Sequence, residues 1–404
     1  MTIIRADYLM TMNDDFEIIR DGAVAFTGRI KAVGPADVVR DSYPDAEFID
    51  AGERSVLLPG LVNPHVHLEF SANRTTLRYG DFIGWLQSVM QHREALSEAC
   101  GEICIKKAID GMLRAGTTTI GAVSSYGFDM RACAYSPVNV VYFNEVLGSN
   151  PAMVDALYAN FLDRLEESRG MAREGFVPAI SVHSPYSTHP ILARKALDIA
   201  RHEEMVVSTH FMESRAEREW LDRGSGDFAG FFESFQPGAR PVNEPMAYLD
   251  LFEGVQALFT HAVWASDAEL ARMQALGSIT HCPVSNRLLG NGRLAVEKLD
   301  GMTIGTDGLS SNISLSLWDE MRAALWMHNT IEPNVLAKKL LRAATREGAE
   351  ALDRNAGALQ LFKDADIIAV QLPDRVESSA DLPLQLLLHA TEATHVAIGG
   401  RMQS

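Results

Sequence analysis

The chain has 404 residues, 47% hydrophobic and 22% charged, enough to bury the core of one large α/β domain with a small companion. Lys+Arg 36 against Asp+Glu 53 gives a formal charge of −17, which repels phosphate backbones and anionic lipid and sets nucleic-acid and membrane-surface roles aside. No stretch approaches the ~18 uninterrupted apolar residues of a membrane span.

The N-terminal segment MTIIRADYLMTMNDDFEIIR carries acidic residues where a signal peptide needs a basic start and an apolar run. Residues 1–56 read as short strands punctuated by Gly22, Gly28, Gly34 and Gly52. From about residue 57 to 310, β-branched segments ending in polar residues alternate with helical stretches. The strands are expected at Val56–Val62, Thr117–Val123, Asn139–Glu145, Val177–His183, Met205–His210, Ala257–His261, Ser278–Cys282 and Met302–Asp307.

The helices between them are read from period and caps. Ile105, Ala108/Ile109 and Met112/Leu113 share one face, and Gly116 closes that helix. Asn150-Pro151 opens the next, with Val154, Leu157, Phe161 and Leu165 on its apolar side and Gly170 at its end. Ser266 and Glu269 form a capping box ahead of a helix that Gly277 stops.

Eight strands alternating with helices over about 250 residues have the size and rhythm of a (β/α)₈ barrel. Residues 357–404 again read as short strands. The α/β fold is therefore a barrel over 57–356 beside a small β-sandwich formed from 1–56 and 357–404. Between the fifth and sixth strands lies RGSGDFAGFFESFQPGARPVNEP, with Phe228, Phe231, Phe232 and Phe235. It reads equally as a lid over the catalytic face and as a packed surface excursion. The cysteines Cys100, Cys104, Cys133 and Cys282 form no CxxC, which fits reduced thiols in a cytoplasm.

The histidines carry the chemistry. His65, His67, His183, His210, His261 and His281 end expected strands or follow them, and Asp307 ends the last. In a (β/α)₈ barrel those ends converge on one mouth. Imidazoles with a carboxylate suit a hydrolytic divalent metal that keeps a position open for water. In His65-Val66-His67, residues i and i+2 of an extended segment point the same way, so both rings reach one ion. Glu213, three residues past His210, can face a bound substrate as a proton donor, or cap the following helix. Asp307 can touch metal and take a proton, or form a local turn before Gly308. His183 stands where binuclear barrel hydrolases place a bridging lysine, so a single metal is expected.

LLPGLVNPHVHLEF, VHSPYS, STHFMES, LFTHAVWASDAEL, HCPVSNRLLG and IGTDGLSSNISLSLWDEMRAAL together resemble the amidohydrolase superfamily. The similarity lies in its branch of cytosine, adenosine and S-adenosylhomocysteine deaminases and chlorohydrolases. HLEFSANRTTLRYGDFIGWLQSVM and TDGLSSNISLSLWDEMRA resemble most the 6-aminodeoxyfutalosine deaminases of menaquinone synthesis. The resemblance implies metal ligation by His65, His67, His210 and Asp307, with zinc or iron as the ion. It implies water orientation by His261, proton shuttling by Glu213 and substrate contact by His183. Glu94, after Trp85, is the counterpart of a substrate-binding glutamate in some relatives. Where those relatives place an arginine near the third strand's end, this chain has Asn144-Glu145.

Aminodeoxyfutalosine also carries a benzoate, for which Arg287, or Arg74 or Arg78, would supply the cation. Phe70, Trp85 and Tyr186 are candidate stacking partners. The expected partner is a small purine nucleoside, with no nucleic acid and no membrane, and a homo-oligomer is compatible with the sequence. The residues leave open an adenosine-type or guanine deaminase, a chlorohydrolase, a cyclic-amide hydrolase, or a barrel kept as an inactive binding module.

Overall fold

The computed structural model describes residues 1–73 and 75–403, and it first departs from the sequence reading at Gly60. The apolar run Val56–Val62 is two strands. Thr2–Met10 (β1), Ile18–Phe26 (β2), Ile30–Pro35 (β3), Glu47–Asp50 (β4) and Ser55–Pro59 (β5) belong to the terminal sheet. Leu61–Val66 (β6) opens the barrel. At the junction Gly60 N donates to Asp366 O of the terminal unit, and Leu61 N to Gly116 O of the barrel. A Cβ on Gly60 would lie 2.1 Å from Thr118 Oγ1, so only glycine lets the backbone pass there. The hydrogen bonding thus changes sheet at Gly60, a few residues after the expected boundary at 56.

The barrel strands continue with Thr117–Ser124 (β7), Asn139–Val146 (β8), Phe176–Val182 (β9), Val207–Phe211 (β10), Ala257–His261 (β11), Gly277–His281 (β12) and Thr303–Ile304 (β13). They form an eight-stranded sheet in sequence order with every pair parallel. Asp307 N donates to His65 O across the gap between the last strand and the first. The strands read as near-continuous hydrophobic runs because interior side chains fill one face and helices cover the other. Asn150 accepts from Ala152 N ahead of a single turn at Pro151–Met153, and the helix proper runs Val154–Gly170. The capping box of Ser266 and Glu269 is complete.

The terminal unit adds Ile367–Gln371 (β14), Ala393–Ile398 (β15) and Arg401–Met402 (β16). β5 lies between β1 and β14 and joins the two ends of the chain in one sheet. That sheet folds over a shared core in which Val24, Phe26, Leu57, Ile367 and Ala397 meet. Ala365 N to Gly28 O and Ile30 N to Lys363 O tie the β2–β3 turn to the segment that leads into β14. Among the described residues no helix is long and apolar enough to cross a membrane. The phenylalanine-rich segment follows the helix Arg215–Arg223 and forms a short helix at Asp227–Glu233. It both packs and reaches the mouth: Phe228 is fully buried with its ring 4.5 Å from that of Tyr186, while Phe231, Phe232 and Phe235 line the cavity below.

Candidate active site

His65, His67, His210 and Asp307 come together at the C-terminal end of the barrel. His67 Nε2 lies 3.2 Å from His210 Nε2, and Asp307 Oδ1 lies 3.8 Å from His65 Nε2 and 3.7 Å from His67 Nε2. On His65 and His210 the other ring nitrogen is already engaged. His210 Nδ1 donates to His183 O at 2.8 Å, and His65 Nδ1 meets Thr260 Oγ1 at 3.2 Å. This fixes the rings with their Nε2 atoms turned inward, the arrangement that orienting partners give metal-ligating histidines. Burial holds His65 well below its usual pKa, and burial with the neighbouring imidazoles pushes His210 down to about 3. Burial thus favours the neutral form of His65 and His210, the form a ligand needs.

Asp307 is held for the same purpose. Burial opposes its ionisation, but the four surrounding imidazoles outweigh burial and keep the carboxyl below its usual range. Its Oδ2 accepts from the Ser285 and Ser311 hydroxyls at 2.7 and 2.8 Å, and Oδ1 accepts from Gly308 N at 2.9 Å. The local turn and the inward-facing carboxylate coexist. Positive φ at Asp307 (57°) and His261 (76°) shows strand ends bent to aim their side chains, a strain that clusters at functional sites.

The donor set fits a divalent ion. His65 Nε2 is buried without any hydrogen-bond partner, and the Nε2 atoms of His67 and His210 converge beside it, 3.2 Å apart. Such an orphaned group costs free energy unless a ligand satisfies it. Three imidazoles and one carboxylate suit a first-row divalent metal with a position left for water.

His261 and Glu213 stand beside this cluster. His261 Nδ1 donates to Asn286 Oδ1 at 2.9 Å, which leaves Nε2 3.6 Å from Glu213 Oε1 and 4.0 Å from Asp307 Oδ2. Glu213 does not cap the next helix, because Ser214 does so through Glu217 N. Instead Glu213 Oε1 accepts from Asn291 at 3.1 Å. Burial first, then the Asp307 and Glu217 charges, raise Glu213 well above the usual carboxyl range. Its surroundings favour the protonated form, the form that can donate a proton.

One cavity of about 470 Å³ opens over these groups. His183, Trp85, Tyr186 and Phe70 line it, as the sequence suggested. His183 has Nδ1 on Ser187 Oγ at 2.6 Å, and the Trp85 indole donates to Ser310 O at 2.8 Å. Four residues that the sequence pointed to the mouth stay outside the cavity: Arg287, Glu94, Arg78 and His281. Arg287 is exposed on the short helix Pro283–Leu288, whose inner face presents Ser285 and Asn286 instead. Its neighbours claim the side that looks into the barrel. Glu94 is exposed on the helix Phe82–Ala99 and does not line the cavity. The cavity-facing stripe runs through Phe82, Trp85, Leu86, Val89, Met90 and Arg93, and Glu94 lies about 100° further round. Arg78 is exposed away from the cavity, and Arg74 lies outside the described residues. His281 pairs with His328, Nε2 to Nε2 at 3.0 Å, and does not reach the cavity.

Sequence reasoning missed three contributors. Glu145, at the end of β8, is buried with one oxygen accepting from Ser181 Oγ at 3.3 Å, and it lines the cavity beside His183. Its place at a strand end was the signal. Glu69 accepts from Ser125, Tyr126 and Phe128 N–H groups at 2.8, 2.9 and 3.3 Å and so holds the loop after β7 against the site. Arg93 closes the helical stripe just described.

The Amidohydrolase family model matches residues 56–402. The chain is 48% identical over 386 residues to the aminodeoxyfutalosine deaminase of Nitratiruptor sp., covering 95% of each chain. Its fold superposes on the crystal structure of Helicobacter pylori aminofutalosine deaminase in complex with methylthio-coformycin, with a TM-score of 0.95 and 34% identity over 100% of both chains. An adenosine deaminase from Xanthomonas campestris, solved with bound zinc, aligns at a TM-score of 0.79 and 25% identity, over 99% of this chain and 92% of that one. Family pattern, relatives and barrel agree over nearly the whole length, and the chain belongs to the amidohydrolase family.

Proposed function

We propose that this chain is a cytoplasmic, zinc-dependent deaminase that hydrolyses the adenine amine of aminodeoxyfutalosine to give futalosine and ammonia. The observation that carries the reading is one cavity joining a divalent-metal donor set to the buried carboxyl of Glu213, in a chain 48% identical to an aminodeoxyfutalosine deaminase.

His65, His67, His210 and Asp307 hold the ion. When bound, it supplies Lewis-acid chemistry that lowers the pKa of water from about 15.7 toward ~7. His261, its tautomer fixed by Asn286, offers the Nε2 lone pair to orient the attacking water over the purine C6. Asp307 takes the first water proton. Glu213 donates its proton to the purine N1, so that negative charge does not build on the ring as oxygen adds to C6. Asp307 then passes its proton to the departing amine. Glu213 recovers the remaining hydroxyl proton as the C6 carbonyl forms, and both carboxyl groups return to their starting states. His183 and Glu145 line the cavity beside the metal ligands, where they meet the sugar or the ring edge.

Hydrolysis has a direct signature. With aminodeoxyfutalosine in ¹⁸O-water, the product should carry one ¹⁸O at C6 and ammonia should appear in equal amount. A product without the label, or cleavage at the glycosidic bond, contradicts the reading.

A further inference from the structure

The outer half of the cavity differs in chemistry from its floor. The floor is polar, built from His67, His183, His210, Glu145, Glu213 and Asp307. Toward the opening, Met90, Met153 and Phe235 line the wall and remain 47%, 47% and 50% exposed. Large apolar side chains left in water around a cavity mark surface that a ligand covers.

A single basic side chain stands in this collar. Among the described residues Arg93 is the one Lys or Arg lining the cavity. Its guanidinium carbon lies 5.8 Å from the centre of the Tyr126 ring, and an N–H reaches toward the Tyr126 hydroxyl at 3.5 Å. Among the described residues no carboxylate pairs with it, although acids outnumber bases 53 to 36 in the chain. Arg218, by contrast, binds Glu269 and Asp222, and Arg164 binds the carbonyls of Ser124 and Glu145.

Tyr126 is itself a fixed platform, because Glu69 holds its backbone N–H and those of Ser125 and Phe128. Phe128 stacks on the Tyr126 ring with ring centres 5.6 Å apart. Resting on an aromatic face gives a guanidinium a preferred place and lowers the entropy lost when its donor fork takes a carboxylate. An apolar collar with one unpaired, pre-positioned arginine matches an aryl ring that bears a carboxylate. It offers nothing of that kind to a plain 5′-substituted adenosine.

We propose that Arg93 binds the aryl carboxylate of the substrate and sets this enzyme's preference for a carboxylate-bearing nucleoside. This rests on the aminodeoxyfutalosine reading, in which the benzoate lies at the end of the molecule remote from the purine.

The test compares wild type and Arg93→Gln, both metal-replete, on aminodeoxyfutalosine, its methyl ester and 5′-methylthioadenosine. Wild type should favour the free acid over the ester by about 10- to 100-fold in kcat/KM, the range of a hydrogen-bonded charge pair. In Arg93→Gln that ratio should fall to within about threefold, through KM rather than kcat, and Arg93→Lys should recover part of it. Retention of the wild-type ratio overturns the proposal, and so does an equal loss on all three substrates. Benzoate as a competitive inhibitor of methylthioadenosine deamination separates this inference from the functional reading. If wild type shows no preference for aminodeoxyfutalosine, that reading fails. A benzoate inhibition constant that rises about tenfold or more in Arg93→Gln still supports an aryl-carboxylate site at Arg93, and an unchanged constant overturns it.

Discussion

Glu213→Gln is expected to lower kcat by about 10²- to 10⁴-fold while leaving metal content and fold intact. The glutamine is nearly isosteric, and its carbonyl can still accept from Asn291, which lies 3.1 Å from Glu213 Oε1. Removing an ionisable group from a site where burial already disfavours its charge does not threaten stability. What is lost is the proton that must reach the purine N1 and return. Stopped-assay turnover together with metal analysis of the same sample checks this. A variant within tenfold of wild type removes Glu213 from the proton path.

Asp307→Asn should lower turnover on the order of 10³-fold or more and leave the protein unable to keep stoichiometric metal through dialysis. Asparagine tolerates the positive φ of 57° at this position, so the backbone needs no rearrangement. The Ser285 and Ser311 hydroxyls that donate to Oδ2 can rotate to accept from an amide instead. The fold therefore survives, and the loss reports the missing charge. Without the carboxylate the three imidazoles surround an ion with no anionic ligand, and the attacking water has no proton acceptor. Metal bound one to one after dialysis with near-normal turnover would contradict the assignment.

The metal cluster was legible in the sequence because barrel geometry brings the strand ends together. That rule groups His65, His67, His210, His261 and Asp307, although it also brings in His281, which turns instead to His328. Residues whose reach depends on helix rotation were not legible in the same way. Arg287 and Arg93 both sit on helices near the mouth, yet one step of about 100° separates a cavity-facing side chain from an exposed one. The spacing of Phe82, Trp85, Leu86, Val89, Met90 and Arg93 does contain the answer, at i, i+3, i+4, i+7, i+8 and i+11. The junction at Gly60 was hidden for another reason. In SVLLPGLV the apolar character is unbroken, because residues on both sides of the glycine are fully buried, and hydrophobicity alone does not say in which of two sheets a residue is buried.

Substrate preference tests the central claim most directly. Ammonia release by the metal-replete enzyme should be measured side by side on aminodeoxyfutalosine, adenosine, S-adenosylhomocysteine and 5′-methylthioadenosine. The proposed function predicts a kcat/KM for aminodeoxyfutalosine at least about tenfold above each of the others, the factor that one charge-assisted contact supplies. Comparable values across the set would contradict it and make the enzyme a general adenosine-type deaminase.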